Sequence, residues 1–200
     1  MKTLIYFSGI FVMISTLIFA GCVKTPVITE VSSNESYEGL YYENMLVIGV
    51  TAKITFRNLL EARLAKQLQE QGLNPLPAYS ILPYSNDLSR GTVSQAVEKS
   101  GTEAILFICL IETGGEEAFA LIDKSNPYVF YENLRNMVSG SSETGSGEEQ
   151  TFFLASSLYD ARSEKQIWSL SAESDFKYKI KSLNEAIALV VSQLKASGLI

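Results

Sequence analysis

The sequence predicts an α/β domain with helices packed on a mixed sheet, and three observations carry that expectation. MLVIGV at 45–50 and AILFICLIE at 104–112 are short continuous apolar runs, which is how strands buried on both faces read. Two helically spaced segments lie between them with a short proline-bounded run in the middle, so strand, helix, strand, helix, strand implies parallel crossovers. Further on, TFFLASSLYD and QIWSLSAES flank a turn and precede an amphipathic segment, which predicts an antiparallel hairpin and a C-terminal helix.

In the first helix Leu60, Leu64 and Leu68 recur four apart with Phe56 before them, while Arg57, Glu61, Lys66 and Glu70 take the other, solvated side. Gly72 supplies the left-handed residue that ends it. LPAYSILP, between Pro75 and Pro83, suits a brief or edge strand. The second helix takes Asp87 or Ser89 as cap, turns Val93, Ala96 and Val97 inward and stops at Gly101. Residues 113–138 alternate weakly and are expected to form one or two peripheral strands, and SGSSETGSGEEQ at 139–150 a flexible acidic loop. The hairpin sets Phe152, Leu154 and Leu158 against Phe153, Ala155 and Tyr159, then Trp168, Leu170 and Ala172 against serines, a pattern expected of a sheet half open to solvent. Ser182-Leu183-Asn184-Glu185 has the spacing of a capping box. Leu183, Ile187, Val190, Val191 and Leu194 then mark one buried stripe, closed by Gly198.

Residues 1–21 have the three parts of an export signal: Lys2, an apolar run from Leu4 to Phe19, and the small residues Ala20 and Gly21. A membrane span is the competing reading, but Ser8, Gly9, Ser15 and Thr16 dilute the run, and Ala-Gly-Cys is an ending for cleavage. FAGC, at 19–22, resembles the lipobox of bacterial lipoproteins, with Phe19 where leucine is usual. The resemblance implies diacylglyceryl alkylation of the Cys22 thiol, cleavage before it, and frequent acylation of the new amino terminus. Two or three chains make such an anchor effectively permanent, since each buried methylene contributes about 0.8 kcal/mol. Val23 follows the cysteine in place of aspartate, which by the same resemblance implies the outer membrane, facing the periplasm. The expected organisation is a signal peptide at 1–21, a lipidated tether at 22–44 and one domain at 45–200. The tether holds Thr25-Pro26 and a Ser/Asn/Glu cluster, and the tyrosines of YEGLYYEN at 37–44 are expected to dock on the domain.

LVIGV, LLEARLAKQLQEQG, AYSILP, AVEKSGTEAILFICLIE and LYDARSEKQIWS, in that order before an amphipathic helix, resemble an uncharacterised proteobacterial lipoprotein family. A more distant resemblance reaches curli-secretion and penicillin-binding-protein-activator lipoproteins and the TolB N-terminal domain. It implies an α/β fold and an envelope compartment, and carries over no catalytic residue.

Composition narrows the chemistry further. Histidine is absent, which removes the residue most used as general base and metal ligand. The net charge of -6, with no Lys/Arg cluster, argues against nucleic acid, whose binders need a dense cationic face. Cys109, inside AILFICLIE, reads as a small buried apolar residue, so a disulfide with Cys22 is not expected. Gly49 alone does not make a phosphate-binding turn, and neither Ser174-x-x-Lys177 nor Ser192-x-x-Lys195 has partner motifs. Glu112, Glu116 and Glu117 read as a solvated acidic loop in preference to a cation site. No catalytic residue, cofactor or metal is therefore expected. Tyr79, Tyr84, Tyr128, Tyr131 and Trp168 offer aromatic area, read as core edge first and as interface second. The expected function is a non-enzymatic binding or assembly module, held to the membrane through acyl chains on Cys22, with an envelope protein as partner. A subunit of an oligomeric envelope or secretion complex and a cryptic envelope hydrolase are the alternatives.

Overall fold

The computed structural model describes residues 26–51, 54–82, 89–112, 116–140, 152–174 and 180–200. Its strands are β1 (Val27–Ser33), β2 (Asn44–Val50), β3 (Asn74–Pro77), β4 (Ala104–Glu112), β5 (Phe152–Asp160) and β6 (Gln166–Ser174). Its helices are α1 (Ile54–Gln69), α2 (Arg90–Ser100), α3 (Glu116–Ala120), α4 (Pro127–Gly140) and α5 (Ile180–Ala196). The six strands form one mixed sheet in the order β1-β6-β5-β4-β2-β3.

The expected crossovers are present: β2 runs parallel to both β3 and β4. Because β3 lies on one side of β2 and β4 on the other, right-handed connections place α1 and α2 on opposite faces. Two cores result. Met45 and Val47 of β2 and Leu106 and Ile108 of β4 pack with Leu60, Leu64 and Leu68 of α1 and the Leu183–Leu194 stripe of α5. Leu46, Ile48, Phe107 and Cys109 point the other way, into Val93 and Val97 of α2 and the aromatic side of α4. Cys109 is thus a buried strand residue, as its surroundings predicted, and burial raises its thiol pKa well above the ordinary value. Ser89 caps α2 by accepting from the Thr92 amide at 3.2 Å, and Gly101 ends it at φ 64°. The run from Pro75 gives an edge strand only to Pro77 and then a 3-10 turn at Ala78–Ser80.

Four expectations need correction. Of the expected strand region 113–138, the described residues 116–138 contain α3 and α4 and no strand, and α4 continues to Gly140 into the expected loop. The remainder of that loop, 141–150, lies outside the described residues. Phe130 of α4 packs edge-on against Phe107 (5.4 Å, 72°), and its ring centroid lies 5.7 Å from that of Tyr159. That cover is why the hairpin is not half open: β5 is central, and its residues 152–159 are all buried. Within the expected tether, Val27–Ser33 form edge strand β1, paired antiparallel with β6 from Val27↔Glu173 to Ser33↔Trp168. Last, α5 begins at Ile180, so Ser182 sits inside its first turn. Asn184 instead accepts a 2.6 Å bond from Arg63 of α1.

Trp168 lies in the core beneath α5, as expected, and its indole N–H has no acceptor among the described residues. Tyr128 and Tyr131 are also core, Tyr79 is 40% exposed, and Tyr84 lies outside the described residues.

Candidate functional site

Cys22 and the whole of 1–21 lie outside the described residues. What the fold does fix is where the chain leaving Cys22 arrives. β1 starts at Val27, at the sheet end formed by the carboxyl ends of β2, β4 and β6, level with Glu173, Phe153 and Ile111.

At that same end, β2 leads toward α1 on one face while β4 leads toward α3 and α4 on the other. A crevice where neighbouring parallel strands diverge this way is the usual ligand position in open α/β sheets. Here it is filled. Glu61, placed by its sequence spacing on the solvated side of α1, is fully buried, and Arg57 is nearly so. One Glu61 oxygen accepts from the Gly49 amide and from Arg57 Nε, both at 2.9 Å, and the other accepts from the Tyr79 amide at 2.7 Å. Burial pushes the Glu61 carboxyl up, against the opposing pull of Arg57 and the two amides. Lys66 and Glu70 do face outward, so only the first half of the polar side turns in. The cavity left beside Gly49, Arg57 and Tyr131 is about 60 Å³, well below the roughly 300–1,000 Å³ of small-molecule sites. The Glu61 carboxylate, by accepting from Gly49 and Tyr79, therefore fastens α1 to β2 and to the 78–80 turn.

Gly49 has no room for a side chain. A Cβ there would lie 3.2 Å from Glu61 Cγ and 3.4 Å from both Arg57 Cγ and its carbonyl oxygen. Glu61 is held by three hydrogen bonds and cannot withdraw. Gly49→Ala is expected to cost about 1–3 kcal/mol in urea unfolding, as overpacking does.

The opposite end of the sheet is open. There a groove of about 470 Å³ runs between the segment entering β2, the end of α2 and the β5–β6 turn. Tyr42 is buried in its floor, and its hydroxyl donates to Asp160 Oδ2 at 3.3 Å. Glu103 braces the near wall by accepting the Glu43 and Asn44 amides, each at 3.1 Å. Leu40 and Tyr41 stand on the rim, 45% and 53% exposed. Tyr37 packs partly on the core and shares a 2.8 Å hydrogen bond with Ser163. The expectation that these tyrosines dock on their own domain thus holds for Tyr37 and Tyr42 and fails for Tyr41.

Burial alone would raise the Asp160 carboxyl, but bonds from Ser163, Tyr42 and the Arg162 amide outweigh it and hold the group below the usual carboxylate range. A depressed carboxylate stabilises the fold above its unfolded pKa, about 3.9, and that stabilisation is lost as pH falls through the lower folded value. Asp160→Asn should therefore be less stable than wild type at neutral pH, with the gap closing in acid. Urea midpoints at about pH 7 and pH 3 check this.

Sequence reasoning missed the groove because its residues come from three separated loops. It flagged Tyr41 and Tyr42 only as part of an aromatic tether. Among the described residues no group of three acidic or cysteine side chains is placed to hold a metal ion.

No family model and no curated protein matches the chain. Two solved structures of PelC from Paraburkholderia phytofirmans are similar in chain path, both dodecamers. One, a single-substitution variant, has a TM-score of 0.48 and 12% identity, over 88% of this chain and 98% of that one. The other has a TM-score of 0.48 and 10% identity, over 88% and 99%. Likeness at this level carries no argument about function.

Proposed function

We propose that this protein is a lipid-anchored, non-enzymatic binding module of a bacterial envelope, attached through Cys22 and receiving a protein partner in the groove at the amino ends of β2 and β4. The observation that carries the binding role is the groove itself: about 470 Å³, with Leu40 and Tyr41 exposed above a floor whose polar groups already bond one another. Exposed aromatic and aliphatic side chains beside a concave, rigid floor are what an anchoring residue of a partner needs. Glu103 and Asp160, the carboxylates whose bonds define that floor, are engaged in bracing it, which favours binding over acid–base catalysis. The anchor reading rests on the apolar run ending Ala20-Gly21-Cys22, and Val23 after the cysteine, in place of aspartate, supports the outer membrane, facing the periplasm.

The test is a photoreactive residue at position 41 in the full chain, expressed in cells, against the same residue at Leu121, which is 88% exposed on the helical flank. A discrete adduct of one mass from position 41, absent at 121 and lost on Leu40→Asp, is the expected result. The same adducts from both positions would refute the groove as the binding site.

A further inference from the structure

We propose that the chain between Cys22 and β1 is too short to act as a tether, so that the domain sits on the membrane with the Val27 end of the sheet against lipid and the groove opening away from it. This rests on the anchor reading above. Val27 is hydrogen-bonded into the sheet opposite Glu173, five residues after Cys22. At most about 3.6 Å per residue, those five span no more than roughly 18 Å. The domain is about that close to its acyl chains at one end only.

That end is defined by the sheet register. Val27, Glu173, Phe153 and Ile111 form one row across β1, β6, β5 and β4. The groove lies at the other end of the same strands, where Asp160 pairs with Ala104. Seven residues separate Ala104 from Ile111 along β4, so the groove stands about 23 Å farther from the anchor, at about 3.3 Å per residue.

The side chains agree with this orientation. Val27 is 65% and Ile28 39% exposed on β1, and Ile180, which opens α5 after β6 ends here, is 57% exposed. Exposed apolar tips beside a lipid anchor suit the interfacial layer of a bilayer. Among the described residues the exposed charges at this end are of both signs, Glu30 and Glu173 near Val27 and Lys181 beside Ile180, so the contact is not a basic patch. It should therefore persist in high salt, unlike attachment through a basic patch.

The experiment uses the full processed protein in vesicles of phosphatidylethanolamine and phosphatidylglycerol that carry a nitroxide-headgroup lipid. Cys109 is buried and Cys22 is acylated, so a cysteine introduced at Ile28 or at Tyr41 takes a fluorophore selectively. The expected result is several-fold stronger quenching at 28 than at 41, unchanged by salt. Equal quenching, or stronger quenching at 41, overturns the proposal. Inserting about twenty-five Gly/Ser residues between Cys22 and Val27 adds roughly 25 Å of slack and should abolish the difference. A difference that survives the insertion contradicts the tether-length argument. The amino-terminal peptide mass, taken on the same sample, separates the two failures: an acylated protein with equal quenching sinks only the orientation, whereas an unmodified Cys22 sinks the anchor and the orientation with it.

Discussion

Glu61→Ala should remove about 3–5 kcal/mol of folding stability, the amount lost when one member of a buried ion pair is deleted. Three donors converge on this carboxylate from three elements: Gly49 at the end of β2, Arg57 in the first turns of α1, and Tyr79 in the turn after β3. The truncation takes the Glu61 charge from beside a guanidinium side chain that is 9% exposed, and it leaves the buried Gly49 amide and the part-buried Tyr79 amide without this acceptor. Domains of this size are stable by roughly 5–15 kcal/mol, so the variant should sit near its unfolding midpoint in mild denaturant. Urea titration against wild type reads the effect, and a loss under about 1 kcal/mol would show that the Glu61 carboxylate is not holding α1 to the sheet. A paired Arg57→Met, Glu61→Met variant separates charge from backbone satisfaction. If the ion pair were the whole effect, the apolar pair would restore most of the stability. Because Glu61 also serves two amides, the double variant should stay destabilised by about 1–3 kcal/mol for the buried Gly49 amide left bare, and by less for the part-buried Tyr79 amide.

Cys22→Ser should move the protein out of the membrane fraction, or halt it as the uncleaved precursor, while the domain stays folded. The hydroxyl cannot take the thioether-linked diacylglyceryl group, and the cleavage implied by the lipobox resemblance follows that modification. A single fourteen-carbon chain binds membranes only marginally, whereas two or three do not let go, so the change is close to all or none. Fractionation with an immunoblot distinguishes the species, since the precursor is heavier by residues 1–21. Circular dichroism of the soluble domain should be unchanged, because Cys22 precedes the first residue paired into the sheet, Val27. A variant that is still membrane-bound and normally processed refutes the lipobox assignment.

The parallel half of the fold is legible because each of its elements has a local signature that burial reinforces. β2 and β4 are apolar without interruption, and Ser89, Gly72 and Gly101 mark helix boundaries where the structure has them. α4 reads wrongly from sequence because Tyr128 and Phe130 alternate as in a strand. The decisive cue is Asn126-Pro127: the Asn126 side chain accepts from the Tyr128 amide at 2.9 Å and the Val129 amide at 3.3 Å, and proline suits the first helical position. β1 leaves no trace in periodicity, because every one of its side chains is exposed and it joins the sheet through backbone bonds alone. Glu61 and Arg57 look like an ordinary surface pair four apart. Packing against the end of β2, the 78–80 turn and α4 makes them interior, and that is a tertiary fact. The groove is hidden for the same reason, since Tyr41, Glu103 and Asp160 meet only once β2, β4 and β5 are in register.

The anchor on Cys22 is the claim on which address, orientation and access to a partner depend. Its most direct test is the mass of the amino-terminal peptide of the protein extracted from native envelopes. The expected peptide begins at Cys22 and is heavier than its unmodified mass by a diacylglyceryl group, with or without a third acyl chain. A peptide beginning at Met1, or at Cys22 with a free thiol, would contradict it.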